Sequence, residues 1–210
     1  STFFAGNPLK GKAPLLVSAL MYTNPMMIYF GQELGEKGMD AEGFSGEDGR
    51  TTIFDYWTVD TIRRWRNNGK FDQKLLTEDE LSLQEYYAKV LNICNSSEAV
   101  REGEFYDLMY VNPQLQKQYT FVRHSEKETL LVIANFASQD TEITINVPEH
   151  LFEYYGIKEN TACEWTDLLS GSQITTAFSS NIPTKLNVPS WGGCILKMKS
   201  VKKAGKKTKS

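Results

Sequence analysis

The sequence predicts an α/β piece followed by an all-β module, and three observations predict it. Up to about residue 97, apolar residues recur at helical spacing around one short, continuous apolar run. After Ser97 the hydrophobic period drops from that of a helix to two. About eight short segments then follow within roughly 100 residues, each bounded by turn residues, the pattern of an antiparallel β-sandwich.

The first element is a helix over "KAPLLVSALMYT", Lys12 to Thr23, with Leu15, Leu16, Ala19 and Leu20 on one face. Pro14 near its start and Asn24-Pro25 at its end punctuate it. The run "MMIYF", Met26 to Phe30, reads as a parallel strand buried on both faces. It passes straight into "GQELGEKG", and a strand that ends in glycines and polar groups is where α/β proteins hold their sites. A long glycine-rich, acidic stretch reaches Trp57; a loop of that length on a compact domain is usually functional.

A short helix is expected from Val59 to Asn67, closed by Gly69. The next starts at "TEDE", a capping box in which Thr77 and Glu80 satisfy each other's amides, bracketed by Leu76 and Leu81. Leu83, Tyr87, Val90, Leu91 and Cys94 form its apolar face. Strands are then read at "EFYDLMYV", "QYTFVRH", "ETLLVIANF", "TEITINV", "TACEWTDLL", "QITTAF", "TKLNV" and "GGCILKMK". The sandwich should run from about Glu104 to Val201 and pack on the Leu83–Cys94 helix, with no helix between Tyr119 and Met198.

Composition excludes several classes. A hydrophobic content of 40% supports a real core, and a net charge of -3 gives no reason to expect nucleic acid as a partner. No run approaches the ~18 apolar residues of a membrane span. The opening "STFFAGNPLKGKAP" lacks the basic start and apolar centre of a signal peptide, and it has no initiating Met. It is expected to be an internal stretch of something longer. Cys94, Cys163 and Cys194 have no metal-site spacing; Cys94 and Cys194 sit in apolar patterns and read as buried thiols, which leave the redox compartment undecided.

The segments "NPMMIYFGQELG" and "GRTTIFDYW", with the closing "VPSWGGCILKMK", resemble the C-terminal part of enzymes of the α-amylase superfamily of glycoside hydrolases. The resemblance covers nearly the whole chain. It implies that residues 1–97, a helix–strand–helix stretch, are the end of a (β/α)8 barrel. Residues 98–201 would be the terminal β-sandwich and 202–210 a basic, disordered tail. It also implies a parent acting on α-1,4-glucans such as starch and maltooligosaccharides, and leans towards a periplasmic or extracellular location. In that family three carboxylates carry the chemistry on earlier strands, the last directly following a histidine. Here His124 and His150 are followed by Ser125 and Leu151, so no catalytic residue is expected in this chain. A retaining glycosidase needs two carboxyl groups about 5–5.5 Å apart across the scissile bond, which one flexible loop cannot hold.

The remaining candidates are substrate-binding residues. Gln32 and Glu33 follow the apolar run and either support a sugar site or hold loop backbone by hydrogen bonding; the second reading weighs more. Arg50 could orient carboxylates or form a structural ion pair. Phe54, Tyr56 and Trp57 could stack on sugar rings or pack on a rim. Tyr154, Tyr155, Trp165 and Trp191 invite a glucan-binding reading, although sandwich tryptophans more often plug a core or interface. Asp40, Glu42, Glu47 and Asp48 lack EF-hand spacing; no cofactor or metal site is expected, while a structural calcium is compatible with the parent enzyme. Partners should be an α-glucan in the parent, and either the missing barrel segment or a second copy through Met26–Phe30. The competing class is a free-standing, non-catalytic carbohydrate-binding or interaction module.

Overall fold

A computed structural model describes residues 6–37 and 59–199. After a 3-10 turn at Pro8–Gly11 come four helices: α1 (Lys12–Leu20), α2 (Asp60–Arg66), α3 (Glu78–Ser96) and α4 (Glu98–Arg101). The strands are β1 (Glu104–Asp107), β2 (Gln118–His124), β3 (Thr129–Asn135), β4 (Thr141–Ile145), β5 (Asn160–Asp167), β6 (Gln173–Phe178), β7 (Thr184–Val188) and β8 (Gly193–Met198). One further helix, α5 (Glu149–Tyr155), joins β4 to β5.

The eight expected strands form a six-stranded sheet in the order β1-β2-β3-β8-β5-β6, and β4 pairs with β7 in a second, two-stranded one. Every pairing is antiparallel. The central strand β3 explains why "TLLVIAN" reads as an unbroken apolar run. Leu131 and Ile133 enter a core shared with β4, β7 and α5, while Leu130, Val132 and Ala134 face a second core shared with α1 and α3. A strand covered on both faces has no polar side to alternate with. Trp165 fills the first core with its ring edge against Phe178.

The helical layer lies on the other face of the large sheet. Leu15, Leu16 and Leu20 of α1 and Leu83, Tyr87 and Val90 of α3 meet Phe121, Leu130, Val132 and Ile195 there. The capping box of α3 is present: Thr77 Oγ1 accepts from the Glu80 amide at 3.2 Å, and Glu80 Oε2 accepts from the Thr77 amide at 2.9 Å. Arg123 on β2, only 2% exposed, locks this layer to the sheet. Its guanidinium donates to the carbonyls of Ala99, Val100 and Gly103 around α4, and to that of Met21 past the end of α1. A cation placed on exposed helix C-terminal carbonyls meets both their unmet acceptor capacity and the negative end of the helix dipole.

Three expectations need correction. Met26–Phe30 is not a strand: it makes no ladder among the described residues. The side chains nevertheless alternate, with Met26 and Ile28 on the α1–α3 core, Phe30 on a small cluster with Leu34 and Ile62, and Met27 83% exposed. An extended segment becomes a strand only when a neighbour supplies hydrogen-bonding partners, and the described chain sets none beside it. The second correction is α5, in the interval expected to hold no helix. The third is that α1 stops at Leu20, before Thr23. The three cysteines carry free thiols; Cys94, read as buried, is only partly so, while Cys163 and Cys194 are buried, and burial raises their pKa to about 11 and about 12, which keeps them inert. No described helix is long and apolar enough to cross a membrane.

Candidate functional site

The extended run ends in a tight 3-10 turn, Gln32–Leu34, set between two left-handed glycines. Gly31 has φ 76° and Gly35 φ 74°, a region that L-residues with a Cβ rarely adopt. Space demands glycine too: a Cβ at Gly31 would meet Glu36 Cβ at 2.7 Å, and one at Gly35 would meet Pro8 Cβ at 2.5 Å. The turn folds back on itself, the Glu36 amide donating to the Gly31 carbonyl at 3.0 Å.

Gln32 organises this turn. Its Oε1 accepts from the Tyr29 amide at 3.1 Å, and its Nε2 donates to the Tyr87 hydroxyl of α3 at 2.9 Å. The side chain thus ties the extended run to the helical core, the backbone-holding role. Burial pushes the Tyr87 hydroxyl upward in pKa, and the Gln32 contact only partly offsets this. Beside it, the buried Glu36 carboxylate accepts from Thr61 Oγ1 of α2 at 2.6 Å. A cavity of about 220 Å³ opens here, lined by Pro8, Met26, Tyr29, Gln32, Glu36 and Tyr87 among others.

A second cavity of about 410 Å³ lies along α2, with Arg63, Arg64 and Arg66 on its wall. Arg64 reaches across to Glu80, its Nε donating to both carboxylate oxygens at 3.1 and 3.0 Å. Burial works against the Glu80 carboxylate, but Arg64 and Thr77 together hold its pKa below the ordinary value. The loop after α2 is strained: Asn67, Asn68, Phe71 and Gln73 all have positive φ, and Asn67 Nδ2 donates to Asp72 at 2.6 Å. Non-glycine residues held in such conformations concentrate at binding and switch regions.

Of the residues expected to bind substrate, Gln32 and Glu33 share this turn. Arg50, Tyr56 and Trp57 lie outside the described residues, as do Phe54, the acidic positions Asp40, Glu42, Glu47 and Asp48, and residues 202–210. No cluster among the described residues could hold a metal ion. His124 ends β2 and His150 lies in α5. Trp191 is half-buried, and its ring lies 4.8 Å beneath Lys10 Nζ, joining the N-terminal turn to the sandwich. Sequence reading missed Glu36, Thr61 and Tyr87 as members of the site. The Gly31-to-Gly35 spacing was the available signal, since two glycines bracketing a short polar turn bring the residue after them back against the first.

No family model matches the sequence, and no curated protein matches it. Solved structures do match the fold. AmyP in complex with maltose superposes with a TM-score of 0.59 at 15% identity, over 90% of this chain and 34% of that one. The α-amylase of Geobacillus thermoleovorans complexed with acarbose gives 0.56 at 14% identity, over 93% and 34%. Isomaltulose synthase from Klebsiella sp. LX3 gives 0.51 at 18%, over 91% and 38%. The chain therefore has the fold of one part of α-amylase-type glycoside hydrolases and spans about a third of their length.

Proposed function

We propose that this chain is the C-terminal portion of an α-amylase-like glycoside hydrolase acting on α-1,4-glucans. One observation carries the reading: nine-tenths of the chain superposes on a third of such enzymes, helices and sandwich together. In this reading the stretch up to about Ser97 closes a (β/α)8 barrel, and residues 98–201 are its terminal sandwich. The Gln32 turn then belongs to the rim of the sugar site, with Gln32 holding its backbone and Glu33, Arg50, Tyr56 and Trp57 nearer the substrate. The exposed Met27 and Tyr29 are surfaces for the rest of the barrel.

The chain alone is expected to be inactive, because the cavity at Gln32 offers Glu36, buried and engaged by Thr61, where retaining chemistry requires an opposed pair of carboxyl groups. The test joins the chain to its upstream coding segment, read for a strand ending in His-Asp. The joined polypeptide should turn over a chromogenic maltooligosaccharide and the 210-residue chain should not. Turnover by the repurified chain alone, or none by the joined protein, would reject the assignment.

A further inference from the structure

One side-chain cluster serves neither the cores nor the Gln32 turn. β1, the 3-10 turn Met109–Val111 that follows it, and α5 bring Tyr106, Tyr110, His150, Tyr154 and Tyr155 together at the surface. The Tyr106 hydroxyl is its centre, 2.9 Å from the Tyr110 hydroxyl and 2.9 Å from His150 Nδ1. His150 and Tyr154, one turn apart on α5, stand with ring planes 19° from parallel and centroids 6.0 Å apart. Tyr155 is anchored, packing on the inter-sheet core and donating to the Glu104 carbonyl at 3.3 Å. Tyr110 and Tyr154 are left 62% and 53% exposed.

These groups suit a neutral polyol. Ring faces accept the apolar C–H faces of pyranose rings, while hydroxyls, an imidazole and the Glu104 carboxylate against Tyr154 exchange hydrogen bonds with sugar hydroxyls. Burial first, and the Tyr110 hydrogen bond second, push the Tyr106 hydroxyl upward in pKa, so it remains a neutral donor and acceptor. The anchored members also lower the ordering cost of binding, since their rings are already held by the core. Tyr106 and Tyr155 pack on the core between the two sheets, whereas Tyr87 and the residues before the Gln32 turn pack on the opposite face of the large sheet. The patch and that turn therefore lie on opposite faces of the large sheet.

We propose that Tyr106, Tyr110, His150 and Tyr154 form an α-glucan-binding surface of the sandwich itself, an assignment that rests on the parent acting on α-glucans. A polymer held at two places on one molecule gains by effective concentration, so the surface favours long chains over short oligosaccharides.

Native gel electrophoresis of the 210-residue chain, with amylopectin or a β-1,4-glucan cast in the gel, tests this. Migration should be retarded by amylopectin, and Tyr110→Ala and Tyr154→Ala should each raise the apparent Kd about tenfold. Tyr154→Phe, which keeps the ring, should retain most of the retardation, and the thermal midpoint of all three should match the parent chain. Undiminished retardation in the folded Tyr110→Ala/Tyr154→Ala double variant would overturn the proposal. A concentration-dependent dimer abolished by Tyr154→Ala would overturn it in favour of contact between copies. No retardation in either gel, with the joined polypeptide active on maltooligosaccharides, would overturn this surface alone. Retardation by the β-linked polymer alone would overturn the parent reading with it.

Discussion

The sandwich and the segment from Pro25 to Lys37 hold themselves together by different means. In the sandwich every strand has a partner, and buried asparagines tie its parts together. Asn135 Nδ2, for example, donates to the Val188 and Pro189 carbonyls at 3.2 Å and ties the two sheets at one end. Asn112 does the same for β4, donating to the Asn146 carbonyl at 2.9 Å and accepting from its amide at 2.7 Å. The Pro25–Lys37 segment instead borrows its order from others. Its extended run has no ladder, and its turn hangs on one glutamine, two glycines and a carboxylate. A β-module can be internally complete, whereas this extended stretch and its turn are shaped by what they pack against.

The junction between the two regions should respond most strongly to mutation. Arg123→Met removes a guanidinium that serves four backbone carbonyls at 2.8–3.0 Å in a buried setting. Leaving those acceptors unmet should cost about 3 kcal/mol, read as a lower urea midpoint at unchanged slope. A loss below about 0.5 kcal/mol would show that the helical layer is held by apolar packing alone.

Glu128 gives a smaller effect with a defined pH signature. Its carboxylate accepts from Ser97 and from the Ala99 amide at 3.0 Å, and pairs with Lys197 at 2.7 Å. Burial alone would raise its pKa, but Lys197, Ser97 and Ala99 together outweigh it and hold the group below the usual carboxylate value. A depressed folded pKa means the stabilisation is present above the unfolded value of about 4.3 and is lost as pH falls through the folded one. Glu128→Gln should therefore lower stability by about 1 kcal/mol at neutral pH and flatten the acid limb of the stability profile. An unchanged acid limb would remove Glu128 from the account.

Gln32→Ala should act most locally. It cuts the tie to Tyr87 and removes the Gln32 acceptor from the Tyr29 amide, so hydrogen exchange should quicken about tenfold across residues 29–36 while β3 is unaffected. Uniform acceleration through β3 would mean the turn and the sandwich unfold as one unit, and the contrast between the regions would disappear.

Some features follow from local chemistry that the residues carry wherever they are placed. Thr77 and Glu80 satisfy each other within one turn, so the α3 start was legible. The eight strands were legible because period-two alternation, or an unbroken run such as "LLVIA", states how many faces are buried. The α5 helix was missed because Leu151, Phe152, Tyr154 and Tyr155 in seven residues suit strand and helix alike. Its signal was the bracket of Pro148 before it and Gly156, φ 65°, after it.

The site was less legible, because its members are far apart in sequence. Nothing in "GQELGEKG" announces Tyr87, 55 residues on, or Thr61, 25 residues from Glu36. By itself the sequence determined the start of α3, the eight strands and how many faces a strand such as β3 buries. Only the tertiary structure decided that "MMIYF" runs without a ladder, that Arg123 clamps two helix ends, and that tyrosines from β1 and α5 meet. The reason is physical: periodicity and capping are contacts between near neighbours, whereas a strand, a clamp or a binding patch exists only when distant partners arrive.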